Sequence, residues 1–261
     1  MLDLHTHLLP GVDDGAPRIE ETRTGLAALS AQGVSAVMLT PHFQASLTEA
    51  TGQMLARLAE LDTAWASLEA LMRSEFAGLR IFRGAELMLD TPIPEFEDPR
   101  LRLAGGEFLL VEFPGLSIPP RSVEALQALR AKGFRPVIAH PERYPGIAGK
   151  LEIAADWRRN GAFLQVNHGS LLGDYGPMPR QAAFLLLQRG WADYLSSDFH
   201  SRGKPRIAAG LDALRRAGGA EQAELLAVTN PERLVQGQAP LPVPPLPVQR
   251  GIFARLLAAL R

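Results

Sequence analysis

Six histidines are the residues of this sequence with the clearest potential for chemistry, because each lies at or just beyond the end of an apolar run. They are His5, His7, His42, His140, His168 and His200. If the runs are parallel strands, their carboxyl ends meet at one edge of the fold, where active sites of α/β proteins are built. The distribution of the histidines therefore predicts one shared site.

The segment His5-Thr6-His7 is the first candidate metal-binding motif. Side chains two residues apart point to the same face of a strand, so both imidazoles can reach one ion. The motif alone is weak, since a structural pair of histidines has the same spacing. Asp14, in the Asp-Asp-Gly sequence that follows, adds a carboxylate, although Asp-Gly is also a common turn.

Three carboxylates lie at similar positions, with Glu86 at the end of the third run, Glu112 at the end of the fourth and Asp198 two residues before His200. A buried carboxylate is costly unless it is paired or bound to metal, and either explanation suits a single one. Together the candidates are too many for one tetrahedral ion and fit two or three divalent ions. The candidate ligands are His5, His7, Asp14, His42, Glu86, Glu112, His140, Asp198 and His200.

The composition excludes several other kinds of site. The sequence has no cysteine, so it has no thiolate zinc site, cysteine nucleophile or disulfide. Its 27 Lys and Arg residues balance 28 Asp and Glu residues, and this net charge of −1 argues against nucleic-acid binding. Ligands of nitrogen and oxygen without sulfur suit Mn²⁺, Fe²⁺ or Zn²⁺, and the sequence does not choose among them.

The elements that must position these residues are seven short apolar runs that alternate with helical patterns, which is typical of a parallel α/β sheet or barrel. The predicted strands are Leu2–His7, Val34–Thr40, Arg80–Leu87, Phe108–Phe113, Arg135–His140, Phe163–His168 and Tyr194–His200. Four of them follow a glycine that can end the preceding helix, namely Gly33, Gly133, Gly161 and Gly190.

The chain is expected to form one domain over residues 1–238, followed by a proline-rich linker and a short helix over 239–261. Pro240–Pro247 cannot continue a helix and predicts an extended segment. Residues 252–261 predict an amphipathic helix that packs back on the domain, or docks to a partner or membrane surface. No signal-peptide pattern or membrane-spanning run is visible, so we expect a cytoplasmic protein.

The motifs that carry the candidate residues resemble the PHP (polymerase and histidinol phosphatase) superfamily. They read HTHLLPGVDDG, TPH, GAE, VEF, AHPERY and SDFH, in this order. Within the superfamily they are most similar to the manganese-dependent protein-tyrosine phosphatases of the CpsB/YwqE type, from bacterial capsular and exopolysaccharide operons. The similarity runs from Leu2 to about Arg206 and returns near Asn230.

The resemblance implies a distorted (β/α)7 barrel with three metal ions at the carboxyl edge of its strands. It assigns the ligands to three ions: His5, His7, Glu86 and Asp198; Glu112 and His140 with Glu86 bridging; and Asp14, His42 and His200. His168 has no ligand role in this assignment. Mn²⁺ is the expected metal, and Fe²⁺, Co²⁺ and Zn²⁺ are alternatives.

The resemblance also places phosphate-binding cations on this chain. Arg143, in the ERY segment, corresponds to an arginine that holds the substrate phosphate. A second cation is expected shortly after His200, where Lys204 or Arg202 occupies the place of a family arginine. This is a departure from the family, because Lys is a point charge whereas Arg binds phosphate with a planar fork.

The expected reaction is attack of a metal-bound hydroxide on phosphorus, without a phosphoenzyme, with Asp198 or a histidine such as His200 protonating the leaving phenolate. The aromatic residues Phe43, Tyr144 and Phe199 would form a rim around the substrate or belong to the core. The implied partner is a phosphotyrosine protein, specifically a tyrosine kinase of polysaccharide assembly, and a homo-oligomer is an open alternative to a monomer.

Other functions fit parts of the same evidence. A metal-dependent amidohydrolase is disfavoured because no lysine occurs at the end of a predicted strand, and a nuclease is disfavoured by the neutral charge. A phosphatase of small phosphoesters such as histidinol phosphate is closer kin. A non-catalytic, metal-stabilised docking module remains the alternative outside enzymes, although no expected ligand is missing.

Overall fold

The structure is a computed structural model that describes residues 1–91 and 95–247. Nine short strands alternate with helices, so the predicted α/β class is confirmed. The strands are β1 (Leu2–Thr6), β2 (Ala36–Leu39), β3 (His42–Gln44), β4 (Arg80–Arg83), β5 (Glu86–Met88), β6 (Phe108–Glu112), β7 (Arg135–Ala139), β8 (Phe163–Asn167) and β9 (Tyr194–Ser196). The helix predicted over 252–261 lies outside the described residues.

All strand pairs are parallel, and the strands form two sheets. The first sheet has the order β1-β2-β4, and the second has the order β3-β5-β6-β7-β8-β9. No single closed sheet is formed within the described part of the chain, so closure into a barrel is not confirmed. Backbone hydrogen bonds nevertheless join β1 to the segment after β9, from Asp198 N to His5 O (2.9 Å) and from His7 N to Phe199 O (3.0 Å).

Two of the predicted strands differ from their expected bounds. The second ends at Leu39, and the chain forms a further strand, β3, beyond the predicted bounds; Pro41 separates the two because its ring nitrogen has no proton for the ladder. The third breaks at Gly84 and Ala85 into β4 and β5. The two neighbouring segments of the chain stay in register across both breaks. Gly84 N donates to Leu39 O and Glu86 N donates to Pro41 O, both at 3.1 Å.

The helices cover the sheets and connect successive strands. They are α1 (Ile19–Ser30), α2 (Thr51–Glu75), α3 (Ser122–Ala131), α4 (Leu151–Arg159), α5 (His168–Leu172), α6 (Pro177–Gln188), α7 (Ile207–Arg216), α8 (Ala220–Glu224) and α9 (Asn230–Val235). The four glycines predicted to end helices all have positive φ angles, between 65° and 88°. The prediction of helix, glycine and strand as a recurring unit is therefore confirmed.

The core consists of a large apolar cluster between sheets and helices and a smaller one of alternating strand residues. On β6 the small cluster contains Phe108 and Leu110, and Glu112 follows on the same face at the strand end. On β8, Gln165 and Asn167 follow Phe163 in the same way. An apolar floor thus lies below a polar layer at the carboxyl ends of the strands.

Residues 239–247 contain no helix or strand, as their prolines predict, but they pack against the domain. Val243 and Leu246 are buried, and Leu246 N donates to Leu187 O of α6 (2.9 Å). Gln222 of α8 donates through Nε2 to Pro244 O (2.5 Å). We call this segment the proline strap. Among residues 1–91 and 95–247, no helix is long and apolar enough to cross a membrane.

Candidate metal centre

All of the predicted ligands converge at the carboxyl ends of the strands. The rings of His5 and His7 lie 5.1 Å apart, and His140 stacks on His5 at 5.7 Å. His200 stacks on His7 at 4.0 Å, and His42 lies 4.5 Å from His7. The shared site predicted from the sequence therefore contains five of the six histidines, and His168 is the exception.

A second set of polar side chains holds the inner histidines. His5 Nδ1 lies 2.9 Å from Oε1 of Gln165, whose Nε2 donates to Asn167. His7 Nδ1 lies 2.8 Å from Oδ2 of Asp13. Because an amide oxygen and a carboxylate oxygen only accept, both Nδ1 atoms donate, and in the neutral rings both Nε2 atoms carry lone pairs. Those Nε2 atoms lie 3.0 Å apart, so the lone pairs of two neutral rings repel unless a proton or a metal ion lies between the nitrogens.

Glu86 lies at the centre of the cluster and is fully buried. Its Oε2 lies 3.3 Å from His5 Nε2 and 3.2 Å from His7 Nε2, and its Oε1 lies 2.9 Å from His140 Nε2. Oδ1 of Asp198 faces the same first two histidines at 3.4 and 3.5 Å. Ligand atoms bound to one tetrahedral ion at about 2.1 Å lie roughly 3.4 Å apart, so the donor spacing fits a divalent metal.

The outer part of the cluster is built around Asp14. Its Oδ1 lies 3.4 Å from Nε2 of both His42 and His200. Nδ1 of His42 faces Oε2 of Glu86 at 3.1 Å and Oε1 of Glu112 at 3.5 Å. Neither His42 Nδ1 nor Glu86 Oε2 has a hydrogen bond of good geometry within the described residues, which leaves both free to bind an ion.

Three groups of side chains have ligand atoms that all lie within 4.8 Å of one another: His5, His7 and Glu86; His42, Glu86 and Glu112; and His7, Asp14, His42 and His200. In the second group His42 stands where the resemblance implies His140, whose Nε2 is 3.9 Å from Oε2 of Glu112. The residues thus fit several divalent ions.

The carboxylates give the ion-free cluster a strongly negative potential. Burial lowers the pKa of His7, but hydrogen bonds and charges of Asp13, Glu86 and Asp198 outweigh burial and raise it to about 10. Burial likewise opposes the shift at His42, where Glu112 and Glu86 raise the pKa to about 11. The carboxylates therefore stabilise positive charge within the cluster, either as protons on the histidines or as bound metal ions.

Accessibility increases from the inside of the cluster to the outside. The side chains of His5, His7 and Glu86 have no exposed surface. His200 and His42 are 26% and 33% exposed, and Asp14 is 61% exposed. The inner group is thus closed off by protein, whereas the outer group faces solvent.

Two of the ligand residues have left-handed backbone conformations that non-glycine residues rarely adopt. The φ angle is 34° at His140, directly after β7, and 54° at Asp198, two residues after the last residue of β9. Such conformations cost about 1–3 kcal/mol and occur where the surroundings hold them in place. Here they turn both side chains toward the cluster.

The cations predicted to bind phosphate differ in position. Arg143 Nη1 donates to Oδ2 of Asp198 at 2.6 Å, directly beside the candidate ligands. Arg202 is exposed and donates through Nη2 to the carbonyl of Asp14 at 2.9 Å. Lys204 is exposed and has no hydrogen bond or ion pair with another described residue. Arg143 is therefore the cation best placed to meet a ligand at the cluster.

The structure decides between alternatives that the sequence left open for neighbouring residues. Phe43, Tyr144 and Phe199 belong to the core and form no exposed rim. His168 is also buried, with its Nδ1 2.8 Å from where a Cβ on Gly210 of α7 would lie. Burial lowers the pKa of His168 to about 3, so it is a neutral packing residue.

Sequence reasoning missed the residues that hold the ligands. Asp13, in the Asp-Asp-Gly sequence, is not among the predicted ligands, and its position next to Asp14 is the sequence signal for its contact with His7. Gln165 alternates with Asn167 on β8, and this alternation is the sequence signal for both residues. Asn167 donates through Nδ2 to Oδ2 of Asp198 (2.9 Å). Tyr175, which lies beside Arg143, had no sequence signal.

The fold and site define a class of protein: a parallel α/β protein with a candidate centre for several metal ions, built from histidines and carboxylates. Residues 1–236 match the family model described as "Capsular polysaccharide synthesis, CpsB/CapC". The chain belongs to this family, and the family predicted from the motifs is confirmed.

Named relatives support the same grouping. The chain is 28% identical to the tyrosine-protein phosphatase YwqE of Bacillus subtilis over 96% of this chain and 97% of the relative. It is 26% identical to the tyrosine-protein phosphatase CpsB of Streptococcus pneumoniae over 91% of this chain and 99% of the relative.

Solved structures agree with the fold. A chain from the crystal structures of YwqE from Bacillus subtilis and CpsB from Streptococcus pneumoniae, described as unique metal-dependent tyrosine phosphatases, superposes with a TM-score of 0.77 and 27% identity. The match covers 96% of this chain and 100% of the solved one.

Proposed function

We propose that this protein is a metal-dependent phosphatase that hydrolyses phosphotyrosine in proteins. The observation that carries the proposal is the pair of facing Nε2 atoms of His5 and His7, 3.0 Å apart, with Oε2 of Glu86 beside both. The names of the relatives, which are tyrosine-protein phosphatases, support the substrate class.

We assign the ligands to three ion positions. The assignment is His5, His7, Glu86 and Asp198 for the inner ion; Glu86, Glu112 and His140 for the second; and Asp14, His42 and His200 for the third. The contacts of Glu86 with His5, His7 and His140 support its role as a bridge between the first two. We propose Mn²⁺ as the metal, with Fe²⁺, Co²⁺ or Zn²⁺ as alternatives, because the donors are imidazoles and carboxylates without sulfur.

In phosphate-ester hydrolysis, divalent ions neutralise the phosphoryl oxygens and lower the pKa of a water molecule. The protein's own part begins with Arg143, whose guanidinium lies next to Asp198 and offers further N–H groups to a phosphate. Asn167 and Arg143 both donate to Oδ2 of Asp198, which directs its Oδ1 toward His5 and His7. Lys204, on the loop after His200, is the proposed second cation, with Arg202 as the alternative.

Protonation of the leaving phenolate was expected from Asp198 or His200. Burial opposes ionisation of Asp198, but the charges of His5 and His140 outweigh burial and lower its pKa. A carboxylate with this environment holds cations and is a poor proton donor. Burial and the charge of His7 also lower the pKa of His200, which makes it a poor proton donor as well. A phenolate needs little assistance in any case, because the pKa of a phenol is about 10.

We also propose that the two sheets act together as the distorted (β/α)7 barrel implied by the resemblance. The hydrogen bonds between β1 and the segment after β9, and the continuation of β2 into β3 and β4 into β5, support this. The proposed partner is a tyrosine kinase of polysaccharide assembly, on the strength of the family description.

The test is hydrolysis of p-nitrophenyl phosphate, histidinol phosphate, a phosphotyrosine peptide and a phosphoserine peptide by the full chain. The protein is stripped with chelator and then given Mn²⁺, Co²⁺, Zn²⁺ or Mg²⁺. We expect activity that a metal restores, that prefers phosphotyrosine and that is lost in His7→Ala. His168→Gln is the matched control, because His168 lies outside the cluster, and it should keep activity as long as it folds.

Two results would contradict the proposal. Metal binding without phosphatase activity for any ion would favour the amidohydrolase or the non-catalytic docking module. Equal activity on histidinol phosphate and phosphotyrosine peptides would favour a phosphatase of small phosphoesters.

A further inference from the structure

Tyr175 is a partly exposed aromatic side chain that contacts the proposed phosphate-binding arginine. Cζ of Arg143 lies 4.5 Å from the centroid of the Tyr175 ring, which is within the range of a cation–π contact. The same guanidinium donates through Nη1 to Oδ2 of Asp198. Arg143 is therefore held at one edge by a carboxylate and on one face by an aromatic ring.

The loop that carries Tyr175 is itself held in place. Asp174 N donates to Gly169 O (3.1 Å), and Oδ2 of Asp174 lies 3.1 Å from Nε of Arg206. A Cβ at Gly169 would lie only 3.1 Å from Cε2 of Tyr175, so the glycine leaves the space that the ring needs. The ring is thus packed between α5 and Arg143.

We propose that Tyr175 is a positioning residue, which holds the Arg143 guanidinium in the orientation that receives the substrate phosphate. This inference rests on the proposed function, because it assumes that Arg143 binds phosphate. With Nη1 bonded to Asp198 and one face covered by the ring, the side chain keeps its remaining N–H groups on the side of the cluster. Without the ring, a side chain that is 24% exposed would regain rotamer freedom, which binding would have to remove.

The experiment compares Tyr175→Phe and Tyr175→Leu in the metal-loaded full chain. Phe keeps the aromatic face and should stay within about twofold of the unmodified protein, whereas Leu should raise KM for p-nitrophenyl phosphate and for a phosphotyrosine peptide by roughly fivefold to twentyfold. Because the effect acts through the phosphate, inhibition by inorganic phosphate should weaken by a similar factor. The value of kcat should fall less than KM rises.

A double-substitution cycle separates action through Arg143 from a general effect on the fold. In the Arg143→Ala background, Tyr175→Leu should cause no further loss, because the group that it positions is gone. Met178→Ala is the matched control, since Met178 is also exposed and lies three residues along the chain. It should leave KM and phosphate inhibition unchanged, and thermal unfolding should show that all variants are folded.

Three outcomes would overturn the inference. One is an unchanged phosphate inhibition in Tyr175→Leu with a loss confined to aromatic substrates, which would mean that the ring contacts the substrate. The others are an equal loss in Tyr175→Phe and an additive loss in the Arg143→Ala background. Inactivity of the unmodified protein with every metal would instead overturn the proposed function, so the two failures are distinguishable.

Discussion

At the scale of single residues, the ring nitrogens of the inner histidines are oriented by partners that no ion would touch. Asp13 fixes His7 through Nδ1, and it also accepts from the backbone N–H of Gly15 (3.0 Å) and of His42 (3.2 Å). A partner of this kind selects the tautomer and the ring direction of a metal ligand. Asp13 therefore links three parts of the site through one carboxylate.

Removing that carboxylate should weaken metal binding without removing a ligand. We expect Asp13→Ala to lower the affinity for Mn²⁺ by about 10- to 100-fold, because His7 loses its fixed tautomer. Competition with a coloured chelator measures this. Asp90→Ala is the control, since the side chain of Asp90 bonds only to Ser46 among the described residues and lies outside the cluster. Equal affinities of the two variants would contradict this role of Asp13.

The raised pKa values of His7, about 10, and His42, about 11, predict that metal uptake releases protons. At neutral pH the ion-free cluster holds these protons, and a metal must displace them, so apparent metal affinity should rise with pH. The ion-free fold gains stability from the same protons below the unfolded value of about 6.5 and loses it as pH rises through 10 to 11.

Calorimetric titration of the ion-free protein with Mn²⁺ at pH 7.5 tests this, in two buffers with different ionisation enthalpies. The observed heat should differ between the buffers in proportion to the protons released. Identical heats in both buffers would mean that the histidines are already neutral before the metal arrives.

At the scale of elements, the alternation of strands, helices and glycines could be predicted, because each signal is local to a few residues. The breaks at Pro41 and Gly84 could have been suspected from residue type, but their effect depends on the neighbouring strand. The ligands were predictable because parallel strands bring their ends together. Gln165 was not, because its contact with His5 spans 160 residues and depends on the packing of β8 beside the cluster.

The loop after β1 offers a test at this scale. A Cβ at Gly15 would lie 1.9 Å from the carbonyl oxygen of His7 and 2.5 Å from its Cβ. We expect Gly15→Ala to force the loop away from His7, to destabilise the protein by about 1–3 kcal/mol and to weaken metal binding. Thermal unfolding and chelator competition measure both effects.

Gly52→Ala is the matched control for that substitution. Gly52 lies in the first turn of α2, and a Cβ there would have no neighbour within 4 Å. The free energy of unfolding of the Gly52→Ala variant should stay within about 0.5 kcal/mol of the value for the unmodified protein or rise slightly, because alanine favours a helix. If Gly15→Ala behaved in the same way, the close approach of the loop to His7 would be wrong.

At the scale of the whole molecule, the proline strap forms hydrogen bonds with three helices, α6, α8 and α9. Leu246 is buried there, whereas Leu241 is 39% exposed in the same strap. We expect Leu246→Ala to lower the free energy of unfolding by about 2–4 kcal/mol and Leu241→Ala to change it by less than about 0.5 kcal/mol.

Denaturant unfolding at saturating Mn²⁺ measures both variants. Since the described strap makes no hydrogen bond with a candidate ligand, kcat/KM of the folded fraction should stay unchanged in each. A stable Leu246→Ala protein would show that the strap adds nothing to the fold, and a loss of activity without loss of stability would show that it contacts the site.

The difference in exposure between His5 and Asp14 has a kinetic consequence for the exchange of bound metal ions. An ion enclosed by buried side chains can leave only when the surrounding loops open, whereas one beside Asp14 can leave through solvent. The ion at the inner position should therefore exchange slowly and remain the one that was bound first. The ion at the outer position should exchange quickly with the metal ions in the surrounding solution. Exchange against a radioactive isotope should therefore show a fast and a slow fraction, and one molecule could contain two different metals at the same time.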